Sequence, residues 1–243
     1  MRWTESGNGR WCSAFAALGA LLLCFASAAA QTQPVVPPSP MASVQPRFSV
    51  VIDAAHGGAD TGAKLTSGLM EKDLVLALSV RLRSLLAARG ISVITTRESD
   101  TTVAADDRAG LANHSMAAAC IMLHATTTGS GVHLFTSSLA AVPNGRFLPW
   151  QTAQAAYTPQ SLRLSSEIAS ALGHVQVPVT LGRASVPPMD NFTCPAVAVE
   201  LAPLAHGNTT RAAPLTDSAY QTRIVEALAA ALEQWRSDWR QQP

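Results

Sequence analysis

Residues 48–58 read FSVVIDAAHGG, a short apolar run that ends in a histidine and two glycines. Residues 48–53 are rich in β-branched side chains and too few for a helix, so they predict a strand that is buried on both faces. Gly57 and Gly58 let the backbone turn sharply, which frees the His56 imidazole to face a cleft. Polar residues that follow a buried strand are typical of α/β folds, which place their chemistry at the ends of strands.

Strand and helix patterns alternate through the rest of the chain. Leucines at helical spacing predict a helix over residues 71–89, with Gly90 as its C-terminal cap. Further strands are predicted at 91–96, 118–123, 131–136 and 196–201, and further helices at 102–116, 161–172 and 216–239. Residues 175–193 contain three prolines and are predicted to form loops or edge segments. The alternation predicts the α/β class, as a single domain with a mostly parallel twisted sheet of about five or six strands and helices on both faces.

The composition fits a well-filled core and excludes one class of partner. Apolar residues make up 48% of the chain and charged residues 14%, which argues against disorder. The formal net charge is +1. A nucleic-acid-binding protein usually carries a basic surplus, so we expect no nucleic-acid partner.

The first 30 residues are expected to be a signal peptide. Arg2 and Arg10 supply positive charge, residues 11–26 are apolar, and the small residues 27–30 offer a cleavage site. A retained membrane anchor is the alternative, because the apolar run is about long enough to begin to span a bilayer. The apolar run ends in an A-x-A pattern and no basic residues follow to stop transfer, which favours cleavage. We therefore expect an exported protein without stable membrane insertion. The proline-rich residues 31–46 predict an extended linker before a folded domain at 47–240.

Four polar residues stand where predicted strands or helices meet loops. His56 follows the first strand, Glu71 opens the long helix, and His124 ends the strand that begins at residue 118. Two imidazoles and one carboxylate are the ligand set of a catalytic zinc with one position open for water. Glu200 ends the apolar run AVAVEL and is placed to act as the base for that water. We therefore expect a zinc hydrolase with one Zn²⁺ per chain.

Three stretches carry a resemblance to a known family. They are VVIDAAHGGADTGAKLTSGLMEKDLVLALSVRLRSLLAARGISVITTRESD (50–100), DDRAGLANHSMAAACIMLHA (106–125) and CPAVAVEL (194–201). In order and spacing they resemble the zinc-dependent N-acetylmuramoyl-L-alanine amidases of the bacterial cell wall, the Amidase_3 type. The resemblance covers nearly the whole folded domain.

The resemblance implies a role for each of the four residues. His56, Glu71 and His124 match the zinc ligands of the family, and Glu200 matches its catalytic glutamate. The implied substrate is peptidoglycan, cut at the amide bond between N-acetylmuramic acid and the L-alanine of the stem peptide. The implied location is the periplasm or the extracellular cell wall. The sequence identifies no protein activator.

Several positions depart from the family pattern. Ala54 and Ala55 stand where proline and glycine are usual, Thr126 where asparagine or aspartate is common, and residues 202–204 where an aromatic is usual. These changes leave the four matched residues in place but alter the surroundings of the site. Two rival interpretations are a catalytically silent peptidoglycan-binding relative and a zinc peptidase that acts on another envelope amide.

The roles of several other residues stay open at this level. Cys120 and Cys194 either form a disulfide between neighbouring strands or remain as buried thiols. Asp53 either holds the outer nitrogen of a ligating histidine or supports the loop.

We expect structural roles for two arginines and four histidines. Arg97 and Arg108 are expected to pair with nearby acids such as Asp100 or Asp107. The remaining histidines of the domain are expected at the surface or in structural roles; they are His114, His133, His174 and His206. A place in the cleft stays open for His133, on a strand soon after His124, and for His206, shortly after Glu200.

Overall fold

The strand predicted at the start of the domain lies inside a six-stranded sheet. The computed structural model describes residues 47–142, 147–206 and 209–240. Its strands are β1 (Ser49–Ala54), β2 (Lys64–Thr66), β3 (Leu69–Met70), β4 (Ser92–Thr95), β5 (Ala119–Ala125), β6 (Val132–Ser137), β7 (Val179–Ala184), β8 (Ala196–Leu201), β9 (Leu204–His206) and β10 (Thr209–Ala213). The α-helices are α1 (Glu71–Ala88), α2 (Ala105–His114), α3 (Thr158–His174) and α4 (Ser218–Arg240), and two 3₁₀ segments span Trp150–Ala156 and Met189–Asn191.

The main sheet has the order β4-β1-β5-β8-β6-β7. Strands β4, β1, β5 and β8 are parallel, so their carboxyl ends meet at one edge of the sheet. Strand β6 runs antiparallel to β8, and the edge strand β7 runs parallel to β6. This confirms the predicted α/β class with a mostly parallel sheet of six strands.

Helices cover both faces of the sheet because the strands are apolar on both sides. Val50 and Ile52 of β1 pack into a cluster with α1, α3 and α4, whereas Val51 faces the opposite cluster. The second cluster includes Ala109 and Ala112 of α2 together with Met189. Cys120 and Met122 of β5 also lie in it, so the alternation of side chains along β5 places His124 on that second face.

A disulfide joins Cys120 and Cys194, with 6.1 Å between their Cα atoms. Its location follows from the strand register, because Cys120 of β5 lies beside Pro195, whose carbonyl accepts a hydrogen bond from the Cys120 N–H at 2.8 Å. Cys120 lies near the amino end of β5 and Cys194 just before β8, away from the edge where His124 lies. The disulfide interpretation of the two cysteines is therefore confirmed.

Removing this disulfide should destabilise the domain. The bond links residues 74 positions apart. Without it, the unfolded chain is no longer closed into a loop of that length and gains conformational entropy. We expect the double change Cys120→Ala and Cys194→Ala to lower the free energy of unfolding by about 2–5 kcal/mol. Urea denaturation of the two proteins measures this difference. An unchanged midpoint would show that the bond contributes nothing to stability.

The structure also changes several predicted boundaries. Strand β5 continues through His124 to Ala125, helix α2 begins three residues later than predicted, and α3 runs past Gly173 to His174. The hairpins β2–β3 and β9–β10 were not predicted. The expected signal peptide and linker, residues 1–46, lie outside the described residues. Within the described ranges, no helix combines the length and apolar character needed to cross a membrane.

Candidate metal centre and active site

His56, Glu71 and His124 come together at the carboxyl edge of the sheet. His56 follows β1, Glu71 is the first residue of α1, and His124 lies near the end of β5. Glu71 Oε2 lies 3.2 Å from His56 Nε2, and Glu71 Oε1 lies 3.0 Å from His124 Nδ1. One potential ligand atom from each residue falls within 4.8 Å of the others, so the group is able to hold a metal ion.

The chemistry of this donor set fits a divalent metal. Two neutral imidazoles and one carboxylate match the protein ligands of catalytic zinc sites. The Nε2 atom of His124 is buried and has no hydrogen-bond partner among the described residues. A buried polar atom without a partner is costly unless something coordinates it. The two ring planes of His56 and His124 are nearly perpendicular, with centroids 5.5 Å apart.

Asp60 orients His56 from the outer side. Its Oδ2 atom lies 2.8 Å from His56 Nδ1, which leaves Nε2 on the side of Glu71. This hydrogen bond lowers the pKa of Asp60 below its usual value. Metal-binding histidines usually have such a carboxylate on their second nitrogen, which fixes the ring orientation. The sequence analysis did not single out Asp60, although it follows His56 by four residues in the same glycine-rich loop.

Glu71 is buried but remains in its charged form. Burial by itself raises the pKa of Glu71, but hydrogen bonds from His124 and from the N–H groups of Ala63 and Ala125 outweigh it, so the pKa is lowered. The two backbone donors lie 2.9 and 3.0 Å from the carboxylate oxygens. Gly62 lies directly against the Glu71 carboxylate: a Cβ atom at position 62 would be only 2.6 Å from Glu71 Oε2. The loop therefore holds an ionised carboxylate in place beside the two histidines.

The backbone of the His56 loop is held by two buried arginines. Arg108 donates to the carbonyl oxygens of Ala54 and His56 at 2.7 and 2.6 Å. Arg97 donates to the carbonyl oxygens of Ala54 and Ala55, both at 2.9 Å. These bonds secure His56 in a left-handed conformation (φ 60°), which is uncommon for a residue with a side chain.

The arginines are structural, as expected, but the acid that pairs with Arg108 was predicted wrongly. Arg108 forms its ion pair with the buried Asp53 at 2.7 Å. Asp100 instead binds Lys72 and the N–H of Gly58. Asp53 also accepts a bond from the Thr96 hydroxyl, so of its two proposed roles the structure favours support of the loop.

Glu200 lies on the strand next to His124, at the same level of the sheet. The register pairs Glu200 of β8 with His124 of β5 on one side and with His133 of β6 on the other. Glu200 Oε2 lies 2.8 Å from His133 Nδ1. Within the described part of the chain, no hydrogen bond reaches Glu200 Oε1. This contact was not predicted from the sequence, which favoured a structural or surface role for His133.

Two clefts meet at His124. The first, of about 170 Å³, also contains His56 and has a mixed polar and apolar lining; it is further lined by Asp53, Asp60, Arg108 and Pro188. The second, of about 250 Å³, contains Glu200 and is mostly apolar; it is further lined by Phe135, Ala184, Val186 and Ala198. The two clefts share His124, so both border the candidate metal centre.

The other predicted residues lie away from these clefts. His114 and His174 bond to carbonyl oxygens of their own helices, which agrees with structural roles. The side chain of His206 lies outside the described residues. Among the positions that depart from the family pattern, Thr126 follows His124 by two residues and bonds locally to Thr128, while Ala202 accepts the Tyr220 hydroxyl.

Comparison with known proteins gives a consistent set of relatives. A family model described as N-acetylmuramoyl-L-alanine amidase, Amidase_3, matches residues 50–234. The N-acetylmuramoyl-L-alanine amidase AmiA of Escherichia coli is 41% identical over 76 residues, which are 31% of this chain and 26% of that protein. The matched segments cover about a quarter to a third of the first curated relatives.

Solved structures share the fold over most of the chain. Ami1 of Mycobacterium smegmatis superposes with a TM-score of 0.62 and 16% identity, covering 79% of this chain and 97% of that one. An N-acetylmuramoyl-L-alanine amidase from Clostridium difficile gives a TM-score of 0.61 and 22% identity, with 79% and 98% covered. At these identities the superpositions establish the shared fold.

Proposed function

Because the chain belongs to the N-acetylmuramoyl-L-alanine amidase family, we propose that it is an exported zinc-dependent peptidoglycan hydrolase of the periplasm or cell wall. The bond cleaved is the amide between N-acetylmuramic acid and the L-alanine of the stem peptide. The observation that carries this proposal is the grouping of His56, Glu71 and His124 within 4.8 Å. Glu200 on the neighbouring strand completes the set of groups that amide hydrolysis requires.

His56, Glu71 and His124 would hold the zinc, one ion per chain. Zinc in such a site supplies Lewis-acid polarisation of a carbonyl and makes water more acidic. Asp60 keeps His56 in the orientation that ligation requires. The N–H groups of Ala63 and Ala125 keep Glu71 ionised and in place.

Glu200 is assigned the proton transfers. Its Oε2 atom is engaged by His133, so Oε1 is the oxygen available to accept a proton from the attacking water. The same carboxyl group then delivers that proton to the departing amine of L-alanine.

Digestion of intact sacculi tests the bond specificity. The mature protein with zinc should release stem peptides that carry a new L-alanine amino terminus, without new reducing sugar ends. Amino-terminal labelling and a reducing-end assay on the same digest separate these products. Reducing ends alone would indicate a glycosidase, new amino termini only elsewhere in the stem would indicate a peptidase, and binding without products would indicate a silent relative.

A further inference from the structure

A histidine outside the proposed metal site contacts the residue assigned to proton transfer. Strands β5, β8 and β6 are adjacent, and their register aligns His124, Glu200 and His133 in one row across the sheet. His133 Nδ1 lies 2.8 Å from Glu200 Oε2. The His133 side chain is 15% exposed and that of Glu200 30%, so the contact is partly shielded from solvent.

Gly129 lies close to the Cε1 and Nε2 atoms of the His133 ring. A Cβ atom at Gly129 would lie 2.4 Å from His133 Cε1 and 2.5 Å from Nε2, too close for any side chain unless the ring moves. Gly129 also has φ +84°, a conformation that favours glycine. The loop between β5 and β6 therefore packs against the ring at Cε1 and Nε2, while Nδ1 faces Glu200.

We propose that His133 is a positioning residue for Glu200, an inference that rests on the proposed function. His133 donates its Nδ1 hydrogen to Oε2 and thereby fixes the orientation of the carboxylate, so that Oε1 remains free for the proton transfers. Gly129 acts in turn on His133 by keeping the ring against Glu200. A partly exposed glutamate without such a donor has several rotamers, and only a fraction of them serves the reaction.

Replacing His133 should therefore affect the rate more than substrate binding. His133→Ala is expected to lower kcat by about 10- to 100-fold with KM changed less than about twofold. His133→Asn places an amide nitrogen near the position of Nδ1, so its kcat should remain within about fivefold of wild type. Zinc content should stay at the wild-type level in both variants. Equal losses in the two variants, an unimpaired His133→Ala, or loss of zinc from it would overturn the inference.

Gly129→Ala tests the same contact without altering either partner. The added methyl group should displace the ring and lower kcat about tenfold. Gly90→Ala is the matched control, because Gly90 also has a positive φ (+71°) but has no atom nearer than 4.0 Å to an added Cβ. In the His133→Ala background, Gly129→Ala should cause no further loss, since the displaced ring is already absent. Additive losses in the double variant would overturn the role of Gly129.

The hydrogen bond also has a signature that is independent of activity. In the zinc-loaded, ¹⁵N-histidine-labelled protein, two-bond ¹H–¹⁵N couplings should show a proton on Nδ1 of His133, with the signal assigned by its loss in His133→Asn. A neutral ring protonated on Nε2 would overturn the inference. Inactivity of the wild-type protein on sacculi would instead defeat the proposed function, so the two failures are distinguishable.

Discussion

Replacing Glu200 by glutamine should lower the rate of amide hydrolysis by about 10²- to 10⁴-fold, the range that general acid–base catalysis usually supplies. Glutamine keeps the shape of the side chain, and its oxygen still accepts the bond from His133 Nδ1, which lies 2.8 Å from the carboxylate. It cannot take a proton from water at neutral pH. The rate loss should therefore appear without unfolding and without loss of zinc.

The matched control for this change is Glu226→Gln. Glu226 is an exposed glutamate on α4 and lines neither of the clefts that meet at His124. Its variant should retain the wild-type rate on sacculi and the wild-type zinc content. Full activity in Glu200→Gln would mean that another group carries the proton, and loss of zinc from it would mean that Glu200 belongs to the metal site.

Replacing Glu71 by glutamine should weaken zinc binding at least about 100-fold. Loss of a residue that only hydrogen-bonds to a metal ligand already lowers metal affinity about 10- to 100-fold, and Glu71 is proposed to be a ligand itself. The change removes the negative charge from the donor set. In the wild type, His124 and the N–H groups of Ala63 and Ala125 contact the two carboxylate oxygens. Glutamine offers these groups only one acceptor oxygen. Hydrolysis should fall in parallel with zinc occupancy and should recover in part at high zinc concentration.

Asp73→Asn is the control for the charge at the start of α1. Asp73 is an exposed acid in the same first helical turn, so both variants lose the same favourable interaction with the helix dipole. Only Glu71→Gln should lose zinc. Equal zinc affinities in the two variants, measured by competition with a chelating dye, would exclude Glu71 as a ligand.

The sequence predicted the fold well because its strands are strongly apolar. The runs that became β1, β5 and β8 have few polar residues, and glycines or prolines lie near them, so length and composition were enough to identify them. The edge strand β7 was harder. Its segment, VTLGRA, contains glycine and arginine and is partly exposed, so local pattern could not separate a strand from a loop.

The site was predicted less completely, because its supporting contacts are either polar or distant in sequence. The pairing of Arg108 with Asp53 joins residues 55 positions apart, and spacing alone suggested nearer acids. The contact of His133 with Glu200 depends on β6 lying antiparallel to β8, which no local pattern indicates. Asp60 was also missed, although a carboxylate four residues after His56 in the same loop is visible in the sequence.

Zinc content of the purified mature protein is the most direct test of the metal centre. Elemental analysis after dialysis against metal-free buffer should give about one zinc per chain for the wild type, as a three-ligand catalytic site requires. The variants His56→Ala and His124→Ala should each give far less while remaining folded by circular dichroism. A wild-type protein that takes up no zinc, or a His56→Ala or His124→Ala variant that retains it in full, would contradict the assignment of these residues as ligands.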